Sequence, residues 1–324
     1  MSQESTRIIY MGTPEFAVAP LKAIIDHGYN VVAVITAPDK PAGRGKKLQS
    51  PAVKDFALSL PKPLKVLQPE KLKDPEFLAS LKELKPDLQV VVAFRMLPSE
   101  VWSLPKLGTF NLHASLLPQY RGAAPINHAI INGETESGLT TFFIDEKIDT
   151  GKILFQEKVP IPKNYSAGDL HDKLMETGSE LVLRTISSII SGDWKETPQD
   201  SLIDPTIPLK PAPKIFKEDC RINWTLSGIQ IQNFIRGLSP EPTAITFLKG
   251  NDAETQVKIF KSSFVPGTHQ NKPGMITIPD RKTILVSCSD GYISIHSLQF
   301  SGKKQLDVLN LLNGFKFQAF NYFE

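Results

Sequence analysis
The sequence predicts an α/β fold, a mostly parallel sheet with helices on both faces, followed by a small C-terminal β-barrel. Three observations predict it. Near-continuous apolar runs alternate with helical periodicity through the first half, which is how strands buried on both faces read. A stretch over 193–214 then carries Pro198, Pro205, Pro208, Pro211 and Pro213, so neither a helix nor a ladder strand is expected to persist there. Beyond it come short β-rich runs at close spacing with glycine turns, the pattern of a small barrel. The expected division is a catalytic domain over 1–192, a linker over 193–214 and a second domain over 215–324.

Taken in order, residues 7–12 form an apolar strand ending in Gly12. Thr13, Pro14 and Glu15 supply an N-cap, a first-turn proline and an early acid for a helix running to about His27. Residues 31–35 and 87–94 are further buried strands, the second preceded by a helical pattern from Glu76 to Lys85. Asn111 and His113 belong to the next strand, 139–144 and 152–160 add two more, and 167–192 has the periodicity of a closing helix. Sheets of this Rossmann-like kind collect ligands beyond the carboxyl ends of their strands, where Gly12, Phe94, Asn111 and His113 fall. In the second domain a helix over 226–238 precedes strands over 244–248, 257–260, 275–278, 283–287 and 292–298, an OB-like arrangement.

Composition narrows the class. With 41% hydrophobic and 22% charged residues, the chain resembles an ordinary globular protein, and 324 residues suggest two domains. No apolar run reaches the roughly 18 residues of a membrane helix. The first strand begins near Arg7, leaving no room for a secretory leader, so a cytoplasmic location without a membrane partner is expected. Cys220 and Cys288 lie far apart with no histidine at ligand spacing, which argues against a disulfide framework or a zinc site. A net charge of +3 does not by itself announce a nucleic-acid partner.

The chemistry concentrates in residues 108–122 and 148–151. Asn111 and His113 are two apart, so on a strand both side chains share a face while Leu112 points into the core. An amide can hold a developing oxyanion, an imidazole can move a proton, and a carboxylate can orient the imidazole. A single strand-end histidine is usually a satisfied core residue. Here the loop that follows, with Pro118, Arg121 and Gly122, is a common place to receive a ligand. Asp149 sits in Asp-Thr-Gly, whose glycine allows a tight turn toward His113, while Asp145 reads as a structural cap. The other five histidines are isolated. These are parts for acyl transfer.

Residues 37–48 form a glycine-rich basic loop holding Arg44, Lys46 and Lys47. It lacks the P-loop spacing, and Gly12 alone does not make a dinucleotide fingerprint. Such a loop is either simply solvated or a flexible clamp on phosphates.

Several stretches together resemble one family: Met11-Gly-Thr-Pro-Glu-Phe16, Pro38-Asp-Lys-Pro-Ala-Gly-Arg-Gly-Lys-Lys47, Asn111-Leu-His-Ala-Ser-Leu-Leu-Pro118, Tyr120-Arg-Gly-Ala-Ala-Pro125, Asp149-Thr-Gly151 and Arg221-Ile-Asn-Trp-Thr-Leu226. They resemble the folate-dependent formyltransferases, and the basic loop resembles the branch acting on methionyl-tRNA. The resemblance covers nearly the whole chain. It implies transfer of a formyl group from 10-formyltetrahydrofolate to the α-amino group of methionine on initiator tRNA, by direct attack through a tetrahedral intermediate. Asn111 and His113 would hold the formyl oxygen, Asp149 would fix His113 and help remove the amine proton, and Ser115, Leu116, Leu117 and Pro118 would bind the folate. Arg44, with Lys46 and Lys47 beside it, would reach the acceptor stem. Phe94-Arg-Met-Leu-Pro98 departs from the family's aromatic-Gly-x-Ile-Leu-Pro, which implies Arg95 near the folate.

The physics accommodates this. An α-amine has a pKa of about 8, so a covalent intermediate is not required, and no metal is expected. A monomer is expected. Holding amine and carbon at roughly 3 to 3.5 Å contributes several kcal/mol. The alternatives are a formyltransferase acting on a nucleotide sugar or glycinamide ribonucleotide, a formyl-folate hydrolase, and a non-catalytic RNA-binding relative. The basic loop, the absent dehydrogenase domain and the intact polar trio, respectively, argue against them.

Overall fold
The apolar runs of the first half are strands in the computed structural model, which describes residues 2–42, 47–250, 254–317 and 321–324. They are Ile8–Gly12 (β1), Val31–Ile35 (β2), Lys40–Ala42 (β3), Lys47–Gln49 (β4), Val66–Leu67 (β5), Leu88–Val92 (β6), Thr109–His113 (β7), Glu136–Phe143 (β8) and Ile153–Pro160 (β9). One sheet has the order β5-β2-β1-β6-β7-β8-β9, with β8 and β9 antiparallel and the rest parallel, while β3 and β4 pair separately. The helices of this half are Val18–Asp26 (α1), Ala52–Ser59 (α2), Pro75–Glu83 (α3), Ser99–Trp102 (α4), Pro125–Ile131 (α5) and Ala167–Ser191 (α6).

The first helix begins differently from expectation. Residues Glu15–Ala17 form a 3-10 turn whose N-cap is Pro14, and the α-helix starts only at Val18. Pro20 is the cause: it has no N–H to return to Phe16, so an α-helix begun at Glu15 would lack that bond. In the first turn of α1 the missing donor costs nothing. Further on, Asp74 caps α3 by accepting from the backbone N–H groups of Glu76 and Phe77, each at 3.0 Å.

Register sets the two faces of the sheet. Gly12 pairs with Val92, and Val92 with Leu112, so the carboxyl ends of β1, β6 and β7 lie level, with Phe94 just beyond. Ile9, Met11, Ile35 and Val91 share one face and one core with Leu81 of α3 and Val101 of α4. Asn111 pairs with Val91, which puts it and His113 on that same face. Leu112 faces the other way, 3% exposed, against Gly178 of α6, where a Cβ would stand 2.9 Å from Leu112 Cδ2.

Two compact units result, Met1–Gly122 with Glu136–Pro160 and His171–Pro211, and Ala123–Thr135 with Ile161–Leu170 and Ala212–Glu324. In the second, Gly228–Gly237 (α7) opens on a capping box between Ser227 and Gln230. Its strands are Ala244–Lys249 (β10), Glu254–Pro266 (β11), Ile276–Thr277 (β12), Ile284–Cys288 (β13), Gly291–Phe300 (β14), Leu306–Asp307 (β15) and Tyr322–Phe323 (β16), with Val308–Gly314 (α8) between the last two. The sheet runs β12-β13-β14-β11-β10-β16, and a bridge between Met275 and Tyr322 joins its ends into a nearly closed barrel. Ile231 and Ile235 of α7 pack into the barrel core with Ile259, Ile293, Ile295 and Phe323. Cys220 and Cys288 are both unpaired in that core, and burial pushes both thiols up. No helix among the described residues is long and apolar enough to cross a membrane.

Candidate active site
Asn111 and His113 lie at the carboxyl end of β7. Asn111 is partly exposed, and among the described residues its amide has no protein partner, which leaves its N–H donors for a ligand. His113 is 6% exposed and held from two sides. Its Nε2 lies 2.9 Å from the Tyr120 carbonyl oxygen. A carbonyl only accepts, so Nε2 carries a proton there and Nδ1 is the nitrogen turned toward the carboxylate. Asp149 Oδ2 stands 3.8 Å from Nδ1, an ion-pair separation rather than a hydrogen bond.

Topology makes that approach unexpected. Because β8 runs antiparallel to β7, Phe143 pairs with Phe110, and the connection to β9 leaves from the wrong end of the strand. The connection folds back over the sheet face to reach His113. Asp149 itself adopts a left-handed φ of 54°, and Oδ2 accepts from the Gly122 backbone N–H at 2.9 Å. Gly151 completes the return: a Cβ there would lie 1.6 Å from the Phe143 carbonyl oxygen, a backbone atom that cannot step aside. Gly151→Ala is therefore expected to displace the loop and lower kcat about 100-fold, as small misplacements of reacting groups do. Steady-state turnover beside a thermal melt checks this, and an unchanged kcat would contradict the account of the loop. Asp145 is occupied within the same loop, accepting from Lys147 N at 3.1 Å and Thr150 Oγ1 at 2.8 Å.

The segment Ser115 to Pro118 is tied to β8 and β9. Ser115 Oγ donates to the Gln119 carbonyl at 2.7 Å, and its own carbonyl accepts from Thr140 Oγ1 at 2.6 Å. Leu117 is buried with Phe142 and Ile153, and its carbonyl accepts from Gln156 Nε2 at 2.8 Å. Pro118 is buried, whereas Leu116 is partly exposed over Gly138. Within the segment, Leu116 is thus the side chain open to a ligand, and the others give the loop its shape.

Of the basic loop, Arg44 and Lys46 lie outside the described residues, and Lys47 opens β4, which pairs with β3. At the foot of β3, Asp39 accepts from Lys54 Nζ at 2.7 Å and Gln68 Nε2 at 2.7 Å, and these hydrogen bonds hold its carboxyl below the usual range. Arg95 reaches back to neighbouring backbone, donating to the carbonyls of Glu70 at 2.8 Å and of Pro69. Thr140, Gln156 and Gln199 carry no motif in the sequence, because each acts through hydrogen bonds to residues 25 to 50 positions away, at Ser115, Leu117 and Asp149. Arg121 donates from Nε and Nη2 to Gln199 Oε1 at 3.0 and 2.6 Å. Among the described residues, no group of three or more His, Cys, Asp or Glu side chains is placed to hold a metal ion.

An amide, an imidazole and a carboxylate on one sheet face suit transfer of an acyl group to an amine. Comparison with known proteins agrees. The model of the family described as formyl transferase matches residues 6–186, and that of its C-terminal domain matches residues 214–316. The chain belongs to the formyl transferase family. Among formyl transferases, it is 52% identical over 316 residues to a protein of Bacteroides fragilis described as methionyl-tRNA formyltransferase, covering 97% of each chain. A protein of Flavobacterium johnsoniae with the same description is 52% identical over 314 residues, 97% of this chain and 98% of that one.

Solved formyl transferase structures share the fold. HypX from Aquifex aeolicus in complex with tetrahydrofolic acid superposes with a TM-score of 0.63 at 19% identity, over 96% of this chain and 47% of that one. This formyl transferase thus spans about half the length of HypX. An N-formyltransferase from Helicobacter canadensis, in complex with folinic acid and dTDP-3-aminofucose, gives 0.63 at 23% identity, over 93% and 100%.

Proposed function
We propose that this protein transfers the formyl group of 10-formyltetrahydrofolate to the α-amino group of methionine on initiator methionyl-tRNA. The observation that carries the reading is the convergence of Asn111, His113 and Asp149, in a chain 52% identical over 97% of its length to relatives so described. When bound, 10-formyltetrahydrofolate supplies an activated formyl carbon. The site suits such a donor: the Asn111 amide has free N–H groups, and Leu116 and the 71% exposed Met96 offer apolar surface to an aromatic ring on the loops after β7 and β6.

Asn111 donates to the formyl oxygen as it gains negative charge, with His113 beside it. Asp149 fixes His113 and helps take the proton that the amine sheds, and His113 passes a proton on to the leaving folate nitrogen. Leu116 lines the folate with Ser115, Leu117 and Pro118 shaping the loop beneath. Arg44, Lys46 and Lys47 hold the phosphates of the acceptor end, while the second domain, with Lys303 and Lys304, adds a salt-dependent grip on the backbone. We assign residues 1–192 to catalysis, 215–324 to tRNA binding and 193–214 to their connection. We take the protein to work as a monomer, and two buried unpaired cysteines fit a reducing cytoplasm.

Incubation with 10-formyltetrahydrofolate and methionine-charged initiator tRNA should yield formylmethionine. Formylation of glycinamide ribonucleotide or a nucleotide sugar in its place, or release of formate to water, would overturn the choice of acceptor. Arg44→Ala is expected to lower kcat/KM for the tRNA about tenfold or more, the scale of one charged hydrogen bond, with folate affinity unchanged. Titration of the variant with both substrates checks it, and equal use of initiator tRNA would remove Arg44 from the role.

A further inference from the structure
Gln199 belongs to the proline-rich stretch, on a 3-10 turn, Gln199–Leu202, that follows Pro198. It is 2% exposed, and every hydrogen-bonding valence of its side chain is directed at the two loops that flank His113. The amide donates to the Asp149 carbonyl at 2.9 Å and the Gly151 carbonyl at 2.8 Å. The side-chain oxygen accepts from Arg121 Nε at 3.0 Å and Nη2 at 2.6 Å. Arg121 precedes Gly122, whose N–H holds Asp149 Oδ2 at 2.9 Å. A ring therefore closes from Gln199 through the Asp149 main chain and carboxylate to Gly122 and Arg121, and back to Gln199.

This ring has a specific task. Asp149 is a non-glycine residue in the left-handed region, a conformation that costs about 1 to 3 kcal/mol and persists only when its surroundings over-determine it. Pinning the carbonyls of both Asp149 and Gly151 fixes the Asp149–Thr150 and Gly151–Lys152 peptide planes, which bracket Thr150 and Gly151, and with the first of them the direction in which the Asp149 side chain leaves the turn. We propose that Gln199 is a positioning residue for the Asp149 carboxylate, holding it toward His113 by clamping the Asp149 turn to Arg121. A buried glutamine with all four bonds made has few alternative arrangements, so the clamp is rigid. The inference rests on the reading of Asp149 as the functional carboxylate.

The test uses the full-length protein and two substitutions at the position. Gln199→Met keeps the shape and removes all four bonds. Gln199→Glu keeps an acceptor for Arg121 but loses both donors and sets a negative charge against two carbonyl oxygens. Single-turnover formylation should fall about 10- to 100-fold in both, the range seen when groups orienting a functional side chain are lost, with KM for both substrates within about twofold. The same substitutions are then made with Asp149→Asn. If Gln199 acts through the carboxylate, they change that slower rate by less than about twofold, because residues acting as one unit are non-additive. A purely structural role would lower the melting temperature and repeat the same fold-loss in both backgrounds, and that result overturns the proposal, as does a wild-type rate in either single variant. Should Gln199→Met not fold, Gln199→Glu alone decides by the same comparison. Full activity of Asp149→Asn itself would instead remove the reading of Asp149, a distinguishable failure.

Discussion

Asp149→Asn is expected to lower kcat for formyl transfer by about three orders of magnitude while leaving the affinities for tRNA and folate nearly unchanged. The substitution preserves size, and the remaining amide oxygen can still accept from Gly122 N–H, where Oδ2 now sits at 2.9 Å. What disappears is the charge 3.8 Å from His113 Nδ1. Without it no charge faces Nδ1 to orient the ring, and no carboxylate remains to receive a proton from the amine. Positioned acid–base groups contribute about 10² to 10⁴ in rate, which sets the expected size. Single-turnover rates with saturating folate and tRNA, beside direct binding of each, check the outcome. A variant within a few-fold of the unaltered protein would leave the carboxylate without a chemical part, and His113 would then have to work alone.

The first sheet was legible because most of its strands are buried on both faces and read as apolar runs: residues 8–12, 31–35 and 88–92 leave little choice. α2 and the two-residue β5 were not, since an eight-residue helix and a strand that short carry too little periodic signal. Asn111 and His113 could be paired on one face from strand geometry alone. The approach of Asp149 could be suggested by the glycine at 151 but not traced, because it depends on the antiparallel register of β8 and on the loop folding back across the sheet. Gln199 was invisible for a stronger reason. Its surroundings read as a linker, and prolines do exclude a longer helix there, yet the 3-10 turn after Pro198 delivers a buried amide to residues 50 and 78 positions away in the chain. Hydrogen bonds of that separation leave no pattern along a sequence.

Asn111→Leu should reduce kcat by about 10² to 10³, or roughly 3 to 4 kcal/mol of barrier, the measured scale for loss of one oxyanion donor. Leucine fills a similar volume, and the position is only partly exposed between Val91 and Phe142 in the register, so the strand should hold. KM should barely move, because a neutral formyl oxygen binds the amide weakly and the interaction strengthens only as charge develops. Asn111→Asp sharpens the point. It is as small and as polar as asparagine, but it offers a negative charge to an oxygen that is itself becoming negative. It is therefore expected to be slower than the leucine variant, the reverse of what loss of packing or polarity would give. Parallel kcat and KM measurements on both variants, with melting temperatures, separate these readings. If the aspartate variant proved the faster, Asn111 would be a packing residue and the charge on the formyl oxygen would have to be met by His113.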